Sequence, residues 1–332
     1  MKILITGGAG YIGSFMTKRL LDKNYEAVVF DSLERGHKNA IDKRAKFIQG
    51  DLKNLATLEA LFCEEKIDAV MHFAGYISVE ESAKKPNLYY QNNVKGSENL
   101  FSTAVNIGKV DKFIFSSSAA VYGNPIKTPI LEDHPKNPTS PYGKMKLITE
   151  QTLEHFGEQH EISFASLRYF NAAGASIDGK MGEIHNPETH IIPLAIKAAL
   201  NNSKFNLYGT DYNTPDGTCI RDYIHVIDLV EAHILVLEKL KREKGGFFYN
   251  VGIGEGYSNK EVVSMVKKIT NIDFKVEIAE RRKGDPEVLI ADPEKIQQEL
   301  GFRPQYSDLE TIVRTAFKWH KRNSKFKIQS SK

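Results

Sequence analysis

The 332-residue sequence predicts an α/β chain, a doubly wound parallel sheet with helices on both faces and a smaller α/β lobe attached. Three observations lead there. Up to about residue 170, short apolar runs alternate with helical stretches, the pattern of strand–helix–strand crossovers. The first run opens at once into a glycine-rich turn. Beyond Phe170 the alternation gives way to loops rich in Gly, Asn, Asp and Pro, followed by helical stretches.

Taken in order, strands are expected at 3–6, 27–30, 46–48, 69–72, 112–116 and 163–168, each short, apolar and bounded by polar or glycine-containing turns. Helices are expected at 12–21, 55–64 and 86–107, the last closed by Gly108 as a C-terminal cap. Loops are expected over 171–189 and 209–222, helices near 226–241, 258–270, 292–300 and 308–322, and one more buried strand at 247–251. The boundaries that follow are 1–170 plus about 222–255 for the sheet domain and 171–221 plus about 256–322 for the lobe. Residues 323–332 are left as a basic tail.

Composition narrows the function classes. With 41% hydrophobic and 26% charged residues, the chain is neither disordered nor a small secreted scaffold. The net charge of +3 comes from residues 318–332, which hold six Lys or Arg and no acid; the remainder has 39 basic against 42 acidic residues. Nucleic-acid binding therefore has no electrostatic support, and the tail reads as a solvated end. The two cysteines, Cys63 and Cys219, show no paired spacing, as in a reducing compartment, and Cys63, after Leu58, Leu61 and Phe62, is expected in the core. No apolar run approaches the ~20 residues of a membrane span. The chain enters its first strand without a signal-type segment, so a cytoplasmic location is expected.

Gly7, Gly10 and Gly13 fall at GxxGxxG spacing between the first strand and first helix, allowing a tight turn and close approach of a pyrophosphate to a helix N-terminus. Asp31 ends the second strand, 18 residues after Gly13, where a carboxylate accepts ribose hydroxyls and repels a 2′-phosphate. NAD is thus expected over NADP, with Arg35 a solvated loop charge. Asp51-Leu52, after the third strand, either meets the adenine or supplies an N-cap to the next helix.

The chemistry centres on Ser140-Pro141-Tyr142-Gly143-Lys144-Met145-Lys146. Ser140 is placed as N-cap and Pro141 as the first helical residue, which puts Tyr142 and Lys146 on one face. A neighbouring ammonium and the helix N-terminus both favour the phenolate, and a lowered Tyr142 pKa is expected. Ser116-Ser117-Ser118 ends the fifth strand, where a third group belongs.

Together GGAGYIG at 7–13, HFAG at 72–75, NN at 92–93, SSSAAVYG at 116–123, SPYGKMK at 140–146 and RYFNAAG at 168–174 resemble the extended short-chain dehydrogenase/reductase family. The likeness is greatest to its members that epimerise UDP-hexoses at C4. It continues through Thr218–Val226 and the Arg281–Asp285 segment.

The resemblance implies a Rossmann-type NAD-binding domain and a UDP-sugar lobe. The implied activity is interconversion of UDP-glucose and UDP-galactose through a 4-keto sugar with bound NAD, an isomerisation without net redox change. It implies Ser118, Tyr142 and Lys146 as the catalytic set. For NAD it implies Gly7, Gly10, Tyr11, Ile12, Gly13, Asp31, Asp51, Leu52, Phe73, Ala74, Gly75, Asn92, Ser116, Tyr142, Lys146 and Phe170. For the UDP-sugar it implies Ser118, Tyr142, Asn171, His190, Ile191, Tyr208, Arg221, Tyr223, Arg282, Asp285 and Leu289.

Two arginines suit a pyrophosphate, and Asp285 suits ribose hydroxyls. Ala119-Ala120 stands where related dehydratases carry an acid. Two positions depart from the family pattern: Ile77 replaces a lysine, and His190 replaces an asparagine, either bonding the substrate or capping a helix. Leu289 either gates the C2 side of the sugar or belongs to the core. The histidines show no HExxH-type spacing, and no metal is assigned. A homodimer is expected through the 86–107 and Tyr142 helices, along Tyr89, Tyr90, Val94 and Phe101 on one and Met145, Ile148, Thr152 and Phe156 on the other. Rival functions are C4-epimerisation of another nucleotide sugar, an NADH-releasing dehydrogenase and a silent NAD-binding module.

Overall fold

The computed structural model describes residues 1–282 and 284–329. All seven expected strands join one parallel sheet: β1 (Lys2–Thr6), β2 (Glu26–Asp31), β3 (Lys46–Gln49), β4 (Ala69–His72), β5 (Lys112–Ser116), β6 (Ser163–Tyr169) and, after a long excursion, β11 (Gly246–Val251). The order is β11-β6-β5-β4-β1-β2-β3, every pairing parallel. The chain runs outward from β1 through β2 to β3, then returns to place β4 on the other side of β1. The crevice at that reversal is where open α/β sheets bind ligands.

Strand alternation supplies two cores. Leu4, Val28, Val70 and Phe113 face one side, against Leu58 and Leu61 of α2 (Leu55–Glu64) and residues of two further helices, α5 (Gly96–Asn106) and α6 (Pro141–His160). Ile3, Ile5, Met71 and Ile114 face the other, against α1 (Tyr11–Asp22) and α8 (Val226–Leu240). Burying each such side chain is worth roughly 1.5–3 kcal/mol. A one-residue slip would exchange the two faces wholesale, which fixes the register.

The lobe gathers α7 (Ile191–Asn201), α9 (Asn259–Thr270) and α11 (Leu309–Gln329) around an apolar cluster. Small sheets knit it together: β7 (Asn171–Ala173) with β10 (Tyr223–His225), β8 (Phe205–Tyr208) with β13 (Val276–Ala279), and β9 (Ile220–Arg221) between β12 (Tyr257–Ser258) and β14 (Val288–Leu289). The loops expected over 171–189 and 209–222 therefore each contain a short strand, made by pairing rather than by any periodicity of its own. Helix α10 (Glu294–Leu300) caps the β11 side.

Other expectations need correction. The helix expected at 86–107 is broken: α3 (Val79–Lys84) precedes α4 (Pro86–Tyr89), a wider π-type turn occupies Tyr90–Lys95, and α5 follows. That turn brings Asn93 onto the loop after β4, where it both accepts from Tyr76 N (2.8 Å) and donates to Tyr76 O (2.9 Å). Gly108 is not the left-handed terminator; Lys109 is, at φ 54°. Glycine is needed at 108 because a Cβ would come within 2.5 Å of Phe62. Cys63 is exposed, since it lies about 140° round the helix from Leu58 while Leu61 and Phe62 face inward. The basic tail is helical through Gln329, and 330–332 lie outside the described residues, as does Lys283. Among the described residues no helix is long and apolar enough to cross a membrane.

Between α6 and the sheet lies an almost fully buried ion pair. Arg168 of β6 forks onto Glu150 through Nε (2.9 Å) and Nη2 (2.8 Å). Glu150 also accepts from the Ser117 hydroxyl at 2.5 Å, and Arg168 Nη1 reaches the Tyr122 hydroxyl (2.9 Å) and the Glu132 carbonyl (3.0 Å). Tyr122 in turn donates to Asn250 of β11 at 2.7 Å. Removing one member strands the other charge in a dry site. Arg168→Met is expected to destabilise the chain by about 3–5 kcal/mol, read by equilibrium urea unfolding; a loss below ~1 kcal/mol would show the pair to be dispensable.

Candidate active site

The ends of β1, β2, β4, β5 and β6 and the facing lobe enclose one cleft of about 2030 Å³, and every residue assigned to cofactor, substrate or chemistry from the sequence lines it. Typical small-molecule pockets measure about 300–1,000 Å³, so the space suits two ligands side by side.

On the sheet side, Gly7 adopts φ +72°, and a Cβ there would lie 2.6 Å from Ala74 N. A Cβ on Gly13 would come within 2.3 Å of Gly7 O. The turn is therefore drawn tight against both the β4 loop and its own helix. Gly10 caps α1 without any side-chain bond. The first backbone N–H groups of a helix have no intrahelical acceptors, so they are available to an anion. These features fit the pyrophosphate of a dinucleotide.

Asp31 holds the loop opposite, accepting from Ala9 N (3.0 Å) and Leu33 N (2.9 Å) while remaining on the cleft wall. Arg35 is not a free loop charge: it pairs with Glu81 at 2.8 Å and stacks 3.9 Å over the Tyr76 ring. It is thereby occupied rather than offered to a 2′-phosphate. Asp51 is not the cap of α2, because Asn54 is, accepting from Thr57 N. Asp51 instead accepts from Lys53 N at 2.9 Å and faces the cleft beside Leu52. His72 of the HFAG motif is buried between the Thr6 and Ser97 hydroxyls, both at 2.7 Å, and desolvation holds its pKa down at about 3. It is a neutral structural group.

The chemical groups converge where β5 meets α6. Ser140 caps α6 through Gly143 N, with Pro141 in the first turn, as expected. A Cβ on Gly143 would lie 2.4 Å from Ala120 O, so only glycine lets this helix close onto the turn that follows Ser118. That approach brings Ser118 into hydrogen-bonding reach of the Tyr142 phenol. Lys146 Nζ donates to Ser116 O at 2.6 Å and lies 5.8 Å from the Tyr142 ring centre.

The expected acidification of Tyr142 is absent. Burial pushes its pKa up, with Tyr169 adding to the rise and Ser118 opposing it, and Lys146 plays no resolved part. Lys146 is itself held down at about 8 by burial, which Glu150 only partly offsets. The dry wall outweighs the helix end and the ammonium. Tyr169, which sequence reasoning passed over, shares a short hydrogen bond with the Ser116 hydroxyl and lines the cleft; its pKa rises to about 12 through burial. Its place inside the RYFNAAG segment was the available signal.

On the lobe side, Asn171 donates from Nδ2 to Asp222 O (2.9 Å), Tyr223 is buried, and Arg282 lies 4.3 Å over the Tyr208 ring. Arg221 and Asp285 do not stand apart to serve different parts of a ligand: Arg221 Nη2 pairs with Asp285 Oδ1 at 2.6 Å. Leu289 lines the cleft and also packs against Ala119, Val121, Tyr122 and Ile130, so the gate and core readings meet in one residue. Ile77 is 42% exposed on the cleft wall. His190 sits at the N-cap position just ahead of α7 but makes no side-chain cap; with His185 it contacts Glu183 and Glu188, a grouping that motif spacing did not reveal.

Residues 3–252 match the model of the NAD dependent epimerase/dehydratase family. This chain belongs to that family. Among relatives, the UDP-glucose 4-epimerase of Lactobacillus helveticus is 45% identical over 98% of both chains. Two solved epimerases of this family are also similar. That of Bifidobacterium longum, a UDP-glucose 4-epimerase in complex with NAD+ and UDP, is 36% identical, with TM-score 0.93 over 98% of this chain and 99% of that one. The UDP-Glc/GlcNAc 4-epimerase of Campylobacter jejuni is 44% identical, with TM-score 0.85 over 97% and 99%.

The Lys146 environment has a measurable consequence. A base whose folded pKa (about 8) lies below its unfolded one (10.5) costs stability in full below pH 8, and the cost vanishes as pH rises toward 10.5. In the cofactor-free chain, Lys146→Met is therefore expected to raise the unfolding midpoint near pH 7, with a gain that shrinks between pH 8 and 10. Scanning fluorimetry across that range checks it, and a gain independent of pH would contradict the buried-ammonium assignment.

Proposed function

We propose that this chain is a UDP-glucose 4-epimerase, interconverting UDP-galactose and UDP-glucose with NAD held throughout the cycle. The observation that carries the reading is the meeting of Ser118, Tyr142 and Lys146 in the same cleft as the glycine turn and the lobe's arginines. Residues 1–170 with about 222–255 would bind NAD. Its diphosphate would rest on Gly7, Gly10, Tyr11, Ile12 and Gly13, its adenosine on Asp31, Asp51 and Leu52, and the remainder along Phe73, Ala74, Gly75, Asn92, Ser116 and Phe170. Residues 171–221 with about 256–322 would hold the UDP-sugar, through Asn171, His190, Ile191, Tyr208, Arg221, Tyr223, Arg282 and Asp285. Arg221 would then share its guanidinium between Asp285 and a phosphate.

Bound NAD supplies a hydride acceptor at C4 and, when oxidised, a positive charge. Tyr142 takes the C4 hydroxyl proton as the carbonyl forms, and Ser118 hydrogen-bonds the same oxygen. Burial holds the Tyr142 proton tightly, so cationic charge in the cleft would favour its release, and Lys146, 5.8 Å from the ring centre, would be one source of it. The lobe would hold UDP while the keto sugar turns and offers the other face of its C4 to the returning hydride, and Tyr142 would give the proton back to the C4 oxygen. The balance is an isomerisation.

Incubation with UDP-galactose is expected to yield UDP-glucose without stoichiometric NADH. Accumulating NADH would identify a dehydrogenase, and inertness toward both hexoses would point to another nucleotide sugar. Tyr142→Phe should lower turnover at least ~10²-fold with an unchanged circular dichroism spectrum.

Leu289 favours a pocket that discriminates against N-acetyl sugars, since it offers volume but no partner for an amide, whose unpaired burial costs ~1–3 kcal/mol. kcat/KM for UDP-galactose should exceed that for UDP-N-acetylgalactosamine by about tenfold or more, and Leu289→Tyr should widen the ratio. Equal efficiencies would remove the preference.

A homodimer is part of the same reading. Tyr89, Val94, Phe101 and Met145 are consumed within the chain, but Leu88 and Ile148 remain 37% and 38% exposed on the two helices. Light scattering at micromolar concentration should give twice the chain mass; a monomer mass would refute it. Free Cys63 and Cys219 fit a reducing, cytoplasmic setting.

A further inference from the structure

The segment leading into α7 gathers four side chains that the reaction above does not use as a set. Glu183, His185, Glu188 and His190 each present one donor atom, and all four atoms lie within 4.8 Å of one another. His185 Nδ1 stands 2.9 Å and His190 Nδ1 2.6 Å from the same oxygen, Glu183 Oε1. Glu188 Oε1 lies 3.3 Å from His190 Nδ1 and 3.9 Å from His185 Nδ1. The two carboxylates are deeply buried, their side chains 6% and 3% exposed.

Two further facts separate this group from an ordinary ion-pair network. His185 Nδ1 and Glu188 Oε2 are buried without a well-aligned hydrogen bond, their nearest charged neighbours being Glu183 Oε1 at 2.9 Å and the Lys197 ammonium at 3.7 Å. Such atoms cost about 1–3 kcal/mol apiece unless something unseen satisfies them. The cluster is also braced from outside. Glu188 Oε1 accepts from Thr189 N (2.9 Å) and His190 N (3.0 Å), and Trp319 Nε1 donates to Glu183 O at 3.0 Å. Bonds of this outer kind orient ligands in metal sites.

Charge and geometry name the class of ion. Two buried carboxylates carry −2, which one divalent cation cancels while both imidazoles stay neutral. Without an ion, the carboxylates instead favour the charged form of both histidines, whose rings are only 5.2 Å apart, and Lys197 Nζ stands 3.7 Å from Glu188 Oε2. Around a tetrahedral ion with bonds of ~2.0–2.2 Å, ligand atoms stand roughly 3.3–3.6 Å apart. The contacts of 2.6–3.9 Å straddle that value. Two imidazoles select against magnesium and calcium, and an N₂O₂ tetrahedron with no required redox role suits zinc.

We propose that Glu183, His185, Glu188 and His190 bind one divalent transition-metal ion, zinc in preference, as a structural clip on the wall of the cleft. Four protein ligands complete the shell, so the ion fixes the loop rather than performing chemistry. It ties the residues ahead of α7, including Ile191 at the cleft, to the loop that Trp319 of α11 already braces.

The test uses the full-length, tag-free chain, stripped with chelator, desalted, loaded with zinc or cobalt(II) and desalted again. A single retained zinc, a tetrahedral cobalt spectrum and a zinc-dependent rise in unfolding midpoint that EDTA reverses are expected. His185→Gln and Glu188→Gln should each weaken zinc retention at least about tenfold, with folding confirmed by circular dichroism; if one fails to fold, the other decides. No retained zinc would leave only a His–carboxylate ion-pair cluster and overturn the proposal. Retention undiminished in a folded variant, or an octahedral cobalt spectrum, would overturn it equally.

Discussion

The buried fork between Arg168 and Glu150 is the constraint on which the chemical site rests. Glu150, Lys146 and Tyr142 follow one another at four-residue steps along a single face of α6, so fixing the first sets the phase of the other two. Each rung has its own partner at the end of β5: Glu150 with Ser117, Lys146 with the Ser116 carbonyl, Tyr142 with Ser118. Rotation of the helix by even a fraction of a turn would break all three contacts. The charge pair is a costly way to stabilise a protein, because desolvation cancels much of the attraction. What it secures is phase, and Gly143 secures distance by admitting the Ala120 carbonyl where any side chain would stand.

Much of this was legible beforehand, for physical reasons. The inner strands of the main sheet, β1, β2, β4, β5 and β6, are buried on both faces, so their apolar runs are continuous and short, and they read clearly. Ser140-Pro141 marks a helix start by local chemistry alone. The glycine turn is equally local, because its steric demands come from residues a few positions away.

The failures lie where long-range contacts decide. Two-residue strands such as β9 and β14 have no pattern of their own and exist only because Cys219–Arg221 meets Glu287–Leu289. The wide turn at Tyr90–Lys95 accompanies the Asn93 clamp on Tyr76, a contact made across the fold that the local sequence does not announce. Arg35 meets Glu81, and Arg221 meets Asp285, across loops whose approach no spacing encodes. The direction of the Tyr142 shift has the same origin: its neighbours in sequence supply a cation, while the depth of its burial is set by the whole cleft. The Glu183–His190 cluster has ligands at separations of two, three and two, a rhythm that matches neither helix nor strand.

The sheet order carries one further consequence, for the way the chain is made. β6 gains its outer neighbour only when β11 is available, and the stretch from Asn171 to Gly245 intervenes. On a ribosome adding ~5–20 residues per second, that leaves roughly 4–15 s in which a nearly complete sheet shows an unpaired strand to its surroundings. Arg168 apart, β6 has none of the charges and prolines that protect natural edges. The nascent chain is therefore most prone to wrong pairing, with a copy of itself or another newborn chain, just before its own final strand emerges.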